Sequence, residues 1–236
     1  MSLLEVRDLT AGYGSLKVLQ GISFDIEEGQ TAVLLGLNGA GKTTTILALA
    51  GILKPWGGSI SFNGNDVTGV DPRKLVAEGI VLVPEGRHVF PQLTVAQNLR
   101  LGAWPYRKDR KRTREIVEQS VEYFPRLRER WTQMAGTLSG GEQQMLAIAR
   151  GLMARPQLLL VDEASLGLSP KLTQTVFEVV SRINQDGTTV LMVEQNVGVL
   201  KMADRAFIMD KGTLVFSGEG DEVMKDEKVR EAYLGV

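Results

Sequence analysis

Gly36-Leu37-Asn38-Gly39-Ala40-Gly41-Lys42-Thr43 fits the pattern G-x-x-x-x-G-K-[ST] without a gap. An apolar run, Thr31-Ala32-Val33-Leu34-Leu35, precedes it, and Thr44 to Ala50 follows without Gly or Pro. The context is strand, loop, helix. Consecutive backbone N–H groups and the positive end of a helix dipole converge on an anion at such a junction. Gly36, Gly39 and Gly41 let the backbone close around phosphate oxygens without a side chain in the way. In such a loop Lys42 reaches the β- and γ-phosphates and the Thr43 hydroxyl meets Mg²⁺. The expected nucleotide-binding stretch runs from Gly36 to Thr44, with Leu37, Asn38 and Ala40 inside it.

Working outward, the 236 residues suffice for one large α/β core, or one core with an inserted lobe. Lys and Arg number 27 against 28 Asp and Glu, so no global field draws the chain to nucleic acid or to an anionic membrane. With no cysteine, disulfides, thiolate metal sites and cysteine nucleophiles are excluded. The single histidine, His88, leaves no imidazole pair for a metal. The charged N-terminus and the lack of a run near the ~20 apolar residues of a membrane span predict a soluble, cytoplasmic protein.

Upstream of the loop, Leu4 to Leu9 and Ile22 to Ile26 alternate as half-buried strands do, and Gly12-Tyr13-Gly14 reads as a turn. An antiparallel strand group thus precedes the nucleotide loop. Downstream, Ser59 to Gly64 reads as a short strand, Asp71-Pro72 opens a short helix over 72–79, and 79–84 is a buried strand. From about 92 to 154 the chain turns helical. Thr94 caps Val95 to Ala103, Lys108 to Phe124 has helical spacing, and Met145 to Met153 forms a further helical run. The basic run 107–114 reads as a solvated surface. Two apolar strands, 157–161 and 188–193, flank a helix from Pro170 to Asn184, a parallel crossover.

Asp162 and Glu163 end the first of those strands, where an open α/β sheet binds ligands. In a phosphate-loop ATPase the first carboxylate helps hold Mg²⁺ and the second orients or activates water, so these roles fall to Asp162 and Glu163. Leu138-Ser139-Gly140-Gly141-Glu142 stands before a helix and makes a second anion site. One nucleotide can use both loops in a head-to-tail dimer, its γ-phosphate between Lys42 of one subunit and Ser139 with its glycines of the other.

Leu-Ser-Gly-Gly-Glu at 138–142, placed between the phosphate loop and the Asp-Glu pair, resembles the signature of the ATP-binding cassette (ABC) family. The resemblance covers nearly the whole chain. It implies a P-loop NTPase (RecA-like) core with an antiparallel β subdomain and an inserted α-helical subdomain at about 86–156, with ATP and Mg²⁺ as ligands and hydrolysis coupled to dimer closure. By the same resemblance Tyr13 stacks on adenine, and the segment Ser165 to Leu168 contacts the partner's nucleotide site, with Ala164 where proline is more usual.

Two positions depart from the broad pattern. Glu85 stands where most members have a glutamine that touches Mg²⁺. Gln195 stands where most have a histidine that senses the γ-phosphate, and His88 is in the wrong part of the chain to replace it. An amide can donate a hydrogen bond but cannot become a cation at neutral pH. Val83 to Val95, Val193-Glu-Gln-Asn and Glu163 to Leu168 together resemble the ATPase subunits of branched-chain (hydrophobic) amino-acid importers. That implies two permease subunits, a second ATP-binding subunit (paralogue or self), an indirectly linked solute-binding protein, no nucleic-acid partner, and a place on the inner face of the cell membrane. A related cargo such as urea or short amides, a soluble non-transport ABC protein, and a regulatory module without turnover are the competing readings.

Overall fold

The computed structural model describes residues 2–225. Its first sheet is antiparallel, built from β1 (Ser2–Tyr13), β2 (Leu16–Glu27), and, after β3 (Thr31–Leu35) and α1 (Lys42–Leu49), from β4 (Gly57–Phe62) and β5 (Asn65–Asp66). Its order is β2-β1-β4-β5. Gly12 and Tyr13 are not a turn, as their sequence suggests, but the end of β1, with Tyr13 paired to Leu16. The reversal needs only Gly14, at φ 59°, and Ser15.

The second sheet has six strands in the order β10-β9-β3-β8-β7-β6: β6 (Ile80–Val83), β7 (Leu158–Asp162), β8 (Thr189–Glu194), β9 (Arg205–Asp210) and β10 (Thr213–Gly218). β3 is parallel to β8 and β9, and β7 to β6 and β8, whereas β10 closes the edge antiparallel to β9. β3, β7 and β8 are buried at every position and lack period-two alternation because both faces are covered, whereas the edge strand β10 alternates. Leu158, Leu160, Leu191 and Val193 pack with Ile46, Leu49 and Phe62 on one side. Leu159, Val161, Val190 and Met192 pack with Ile148, Val176 and Val180 on the other. Each such leucine removed from water contributes about 1.5–3 kcal/mol.

Short α2 (Pro72–Glu78) is capped by Asp71, whose carboxylate accepts the Arg73 N–H. Between β6 and β7 the chain is helical: α3 (Val95–Gly102), α4 (Arg110–Glu122), α5 (Pro125–Glu129) and α6 (Gly140–Leu152). α7 (Pro170–Gln185) links β7 to β8, and α8 (Gly220–Lys225) ends the described chain. α4 is shorter than the spacing over 108–124 suggests, since Asp109 caps it by accepting the Arg112 N–H and Pro125 opens α5. Asn98, fully buried, fastens the bend before α3. Its Oδ1 accepts the Phe90 N–H at 2.9 Å, and its Nδ2 donates to the carbonyls of Phe90, Leu93 and Thr94 at 3.0, 3.3 and 3.0 Å. The basic run at the start of α4 is exposed.

Candidate nucleotide site

Parallel strands end on one edge of a sheet. β6 therefore delivers Glu85, β7 delivers Asp162 and Glu163, β3 delivers the 36–44 loop, and β8 delivers Glu194 and Gln195 to the same rim. Gly36 admits no side chain, since a β-carbon there would lie 2.5 Å from the Met209 carbonyl oxygen. Gly41, at φ 110°, is the left-handed N-cap of α1 and offers no capping side chain. Among the described residues nothing accepts the N–H groups of Lys42, Thr43 and Thr44, the unpaired donors of a helix start. This is the polarity a phosphate requires.

Lys42 is buried, and its Nζ lies 3.2 Å from the Leu37 carbonyl oxygen and 3.3 Å from Glu163 Oε1. Gln195 Nε2 donates to both carboxylate oxygens of Glu163, at 2.8 Å each. Glu163 itself has φ 43°, the left-handed region that non-glycine residues rarely enter, and its N–H donates to the Val193 carbonyl at 2.9 Å. Backbone strain of this kind concentrates at functional sites.

Asp162 is buried, and its Oδ1 has no hydrogen-bond partner among the described residues. Burial, helped by the charges of Glu163 and Glu85, pushes its carboxyl up to about 6, against the pull of Lys42 and the Thr43 hydroxyl. An orphaned carboxylate oxygen beside a hydroxyl, with an exposed carboxylate at Glu85 nearby, suits a hard divalent cation that also takes phosphate oxygens. Among the described residues no three His, Cys, Asp or Glu side chains could hold a metal by themselves. The residues present therefore fit Mg²⁺ arriving with a nucleotide.

Two further expected contacts stand on other elements, β1 and the start of α6. Tyr13 is about half exposed at the end of β1. Among the described residues the Ser139 side chain and N–H bond only Glu142, and its carbonyl accepts the Gln143 N–H at 2.9 Å. Its backbone N–H and its hydroxyl each donate to Glu142 Oε2 at 2.9 Å, and its Oγ accepts the Glu142 N–H at 3.4 Å. This capping box starts α6 inside the 138–142 stretch, five residues before the run that begins at Met145. The S-x-x-E spacing carried that signal in the sequence.

Sequence reasoning missed two residues. Arg87, at φ 67°, lays its guanidinium against the start of α6, where a β-carbon on Gly140 would sit 2.9 Å from either terminal nitrogen. Glu194 is buried at the end of β8, and its oxygens accept the Ser165 N–H at 3.0 Å and the Ser165 hydroxyl at 2.6 Å. Burial pushes its carboxyl up to about 7, against the pull of those hydrogen bonds. Only a three-dimensional register brings Glu194 to Ser165. His88 is on the exposed turn after β6, its carbonyl bound by Arg150 Nη1 at 2.8 Å.

Residues 19–166 match the family described as ABC transporter. The chain is 42% identical over 234 residues to the high-affinity branched-chain amino acid transport ATP-binding protein BraG of Pseudomonas aeruginosa, spanning 99% of this chain and 100% of that one. It is 33% identical over 236 residues to the probable branched-chain amino acid transport ATP-binding protein LivF of Archaeoglobus fulgidus, spanning 99% of each. The fold superposes on the ADP conformation of MJ1267, an ATP-binding cassette of an ABC transporter, with a TM-score of 0.89, 28% identity and 100% of both chains covered. Full-length likeness in sequence and in fold, on top of a phosphate loop facing two carboxylates, makes this chain an ATPase of the ABC transporter family.

Proposed function

We propose that the chain hydrolyses ATP to power an importer of branched-chain or other hydrophobic amino acids. It works as one half of a head-to-tail pair, with itself or a paralogue, on the cytoplasmic side of two permease subunits. A solute-binding protein supplies the cargo from the other side. The chemistry rests on one observation, the Glu163 carboxylate gripped between Lys42 and Gln195. The cargo rests on the branched-chain transport role in the names of the relatives at 42% and 33% identity.

The grip defines a sequence of exchanges. Arriving β- and γ-phosphates offer Lys42 a stronger partner than one carboxylate and a carbonyl, so the ammonium turns to them. Gln195 can then donate its amide N–H to the γ-phosphate instead of Glu163. Glu163, released from both, is free to orient water for in-line attack and accept its proton. Thr43 and Asp162, with Glu85 nearby, would hold Mg²⁺, which would neutralise charge on the phosphates. Ser139 and Gly140-Gly141 close on the γ-phosphate from the partner, with Glu142 holding their turn, and Tyr13 stacks on the adenine.

Deleting the chain from its host and measuring uptake of radiolabelled leucine tests the reading. Loss of uptake, restored by the parental chain and not by Glu163→Gln, is the expected result. Unchanged uptake of leucine, isoleucine and valine overturns the cargo assignment. Phosphate release by purified protein tests the chemistry separately.

A further inference from the structure

We propose that Glu194 is a positioning residue for hydrolysis: its buried carboxylate pins Ser165, and so keeps Glu163 aligned when Lys42 and Gln195 let it go. The inference rests on the reading of Glu163 as the residue that activates water.

Three consecutive residues at the end of β8 hold two residues just past the end of β7, Glu163 and Ser165. The Val193 carbonyl accepts the Glu163 N–H at 2.9 Å. The Glu194 carboxylate accepts the Ser165 N–H and hydroxyl at 3.0 and 2.6 Å, and the Gln195 amide donates to the Glu163 carboxylate at 2.8 Å. Between them the Ala164 side chain is completely buried. Only the last of these contacts, with the Lys42 ion pair, involves atoms that the phosphates would claim. Those that remain fix the backbone from which the Glu163 side chain swings. Because Glu163 sits at a strained φ of 43°, that backbone needs holding on its far side, and Ser165 is where it is held.

The choice of residue supports a role beyond packing. Glu194 is 1% exposed, and among the described residues no cation lies within ion-pair distance of it. Burying a carboxylate without a cation is costly, and a neutral side chain could fill the space at less cost. What this side chain adds is two oxygens on one planar group, which hold one serine by backbone N–H and hydroxyl together.

Steady-state ATPase rates and equilibrium binding of a fluorescent ATP analogue, measured on the purified full chain, test the assignment. Glu194→Ala is expected to lower kcat about ten- to a hundredfold, as loss of two hydrogen bonds at an aligned group would. The nucleotide Kd should change less than about twofold, the scatter of such a measurement against a factor of ten per 1.4 kcal/mol. Glu194→Gln, whose amide can accept from the Ser165 N–H and donate to its oxygen, should recover most of the rate. Ser165→Ala should lower kcat less than Glu194→Ala, and the double variant should be no slower than Glu194→Ala alone.

A merely structural role would weaken binding and lower thermal stability along with the rate. Parental kcat in Glu194→Ala, or multiplicative losses in the double variant, overturns the proposal. Should Glu194→Ala fail to fold, Ser165→Ala decides, with an unchanged kcat counting against the pin. Glu163→Gln separates the two levels. If it hydrolyses ATP at the parental rate, the reading of Glu163 fails; if it is inactive while Glu194→Ala is normal, only the pin fails.

Discussion

The Gln195 side-chain nitrogen stands 2.8 Å from each carboxylate oxygen of Glu163, so the residue expected to sense phosphate and the one expected to activate water are hydrogen-bonded to each other. Gln195→Ala should therefore both free Glu163 and remove a donor to the γ-phosphate. A hydrogen bond to a charged group contributes about 1.5–3 kcal/mol, so kcat should fall roughly ten- to more than a hundredfold. Gln195→His should retain activity with little change between pH 6 and 8. A new pH dependence there, where imidazole with a reference value of about 6.5 changes charge, would show that a titratable group matters. Full activity in Gln195→Ala would remove this residue from the mechanism.

Lys42 and Glu163 are buried partners, and their variants should fail differently. Lys42→Ala leaves the loop's N–H donors but no point charge for the phosphates, so binding should weaken severely. It also leaves Glu163 buried without its cation, at a cost of several kcal/mol of stability. Glu163→Gln keeps the binding charges, so ATP should bind and the closed dimer should accumulate without turnover. Normal equilibrium binding in Lys42→Ala would refute the loop assignment.

Ser139→Arg places a long cation at a turn whose Ser139 side chain hydrogen-bonds only Glu142 among the described residues. ATP binding to the monomer should survive while hydrolysis is lost. Mixed with Lys42→Ala, one composite site carries both lesions and the other is intact, so partial activity should return. No return at any ratio is the outcome that would count against sites shared between subunits.

Two buried carboxyls make stability depend on pH in an unusual direction. Glu194 rises from 4.5 to about 7 and Asp162 from 3.8 to about 6, both through burial. Between the ordinary and raised values the folded chain binds more protons than the unfolded one. These groups therefore stabilise most below about pH 4, and their contribution is lost as pH rises toward 7. For Glu194 the loss is roughly 3 kcal/mol at most, at 1.36 kcal/mol per pKa unit. The thermal midpoint of the parental chain should fall between pH 5.5 and 7.5, and less so in Glu194→Gln. Equal slopes in the two proteins would mean that Glu194 ionises as freely as in the unfolded chain.

What could be read from the sequence was local. The strand, loop and helix around residues 31–50, the carboxylates closing β7, and the caps of α2 and α3 each follow from residues within a few positions of one another. Boundaries slipped where one polar side chain decided the start of a helix. Asp109 begins α4 later than its apolar spacing suggests, and Ser139 with Glu142 begins α6 earlier. At β1 the pairing of Tyr13 with Leu16 carried the strand past Gly12, because a partner strand outweighs a glycine's preference to turn.

Sequence alone determined the residue types at the rim, since a phosphate loop, a strand-end Asp-Glu pair and an amide in place of a histidine are written in consecutive letters. Only the tertiary structure decided who holds whom. Glu163 lies 121 positions beyond Lys42 and Glu194 lies 29 beyond Ser165, and no local pattern encodes a contact at such separation. The parallel register of β3, β8 and β7 brings those strand ends to one edge. Once there, a buried carboxylate must find donors or go uncompensated, and the donors within reach were Lys42 and Gln195 for Glu163, and Ser165 for Glu194.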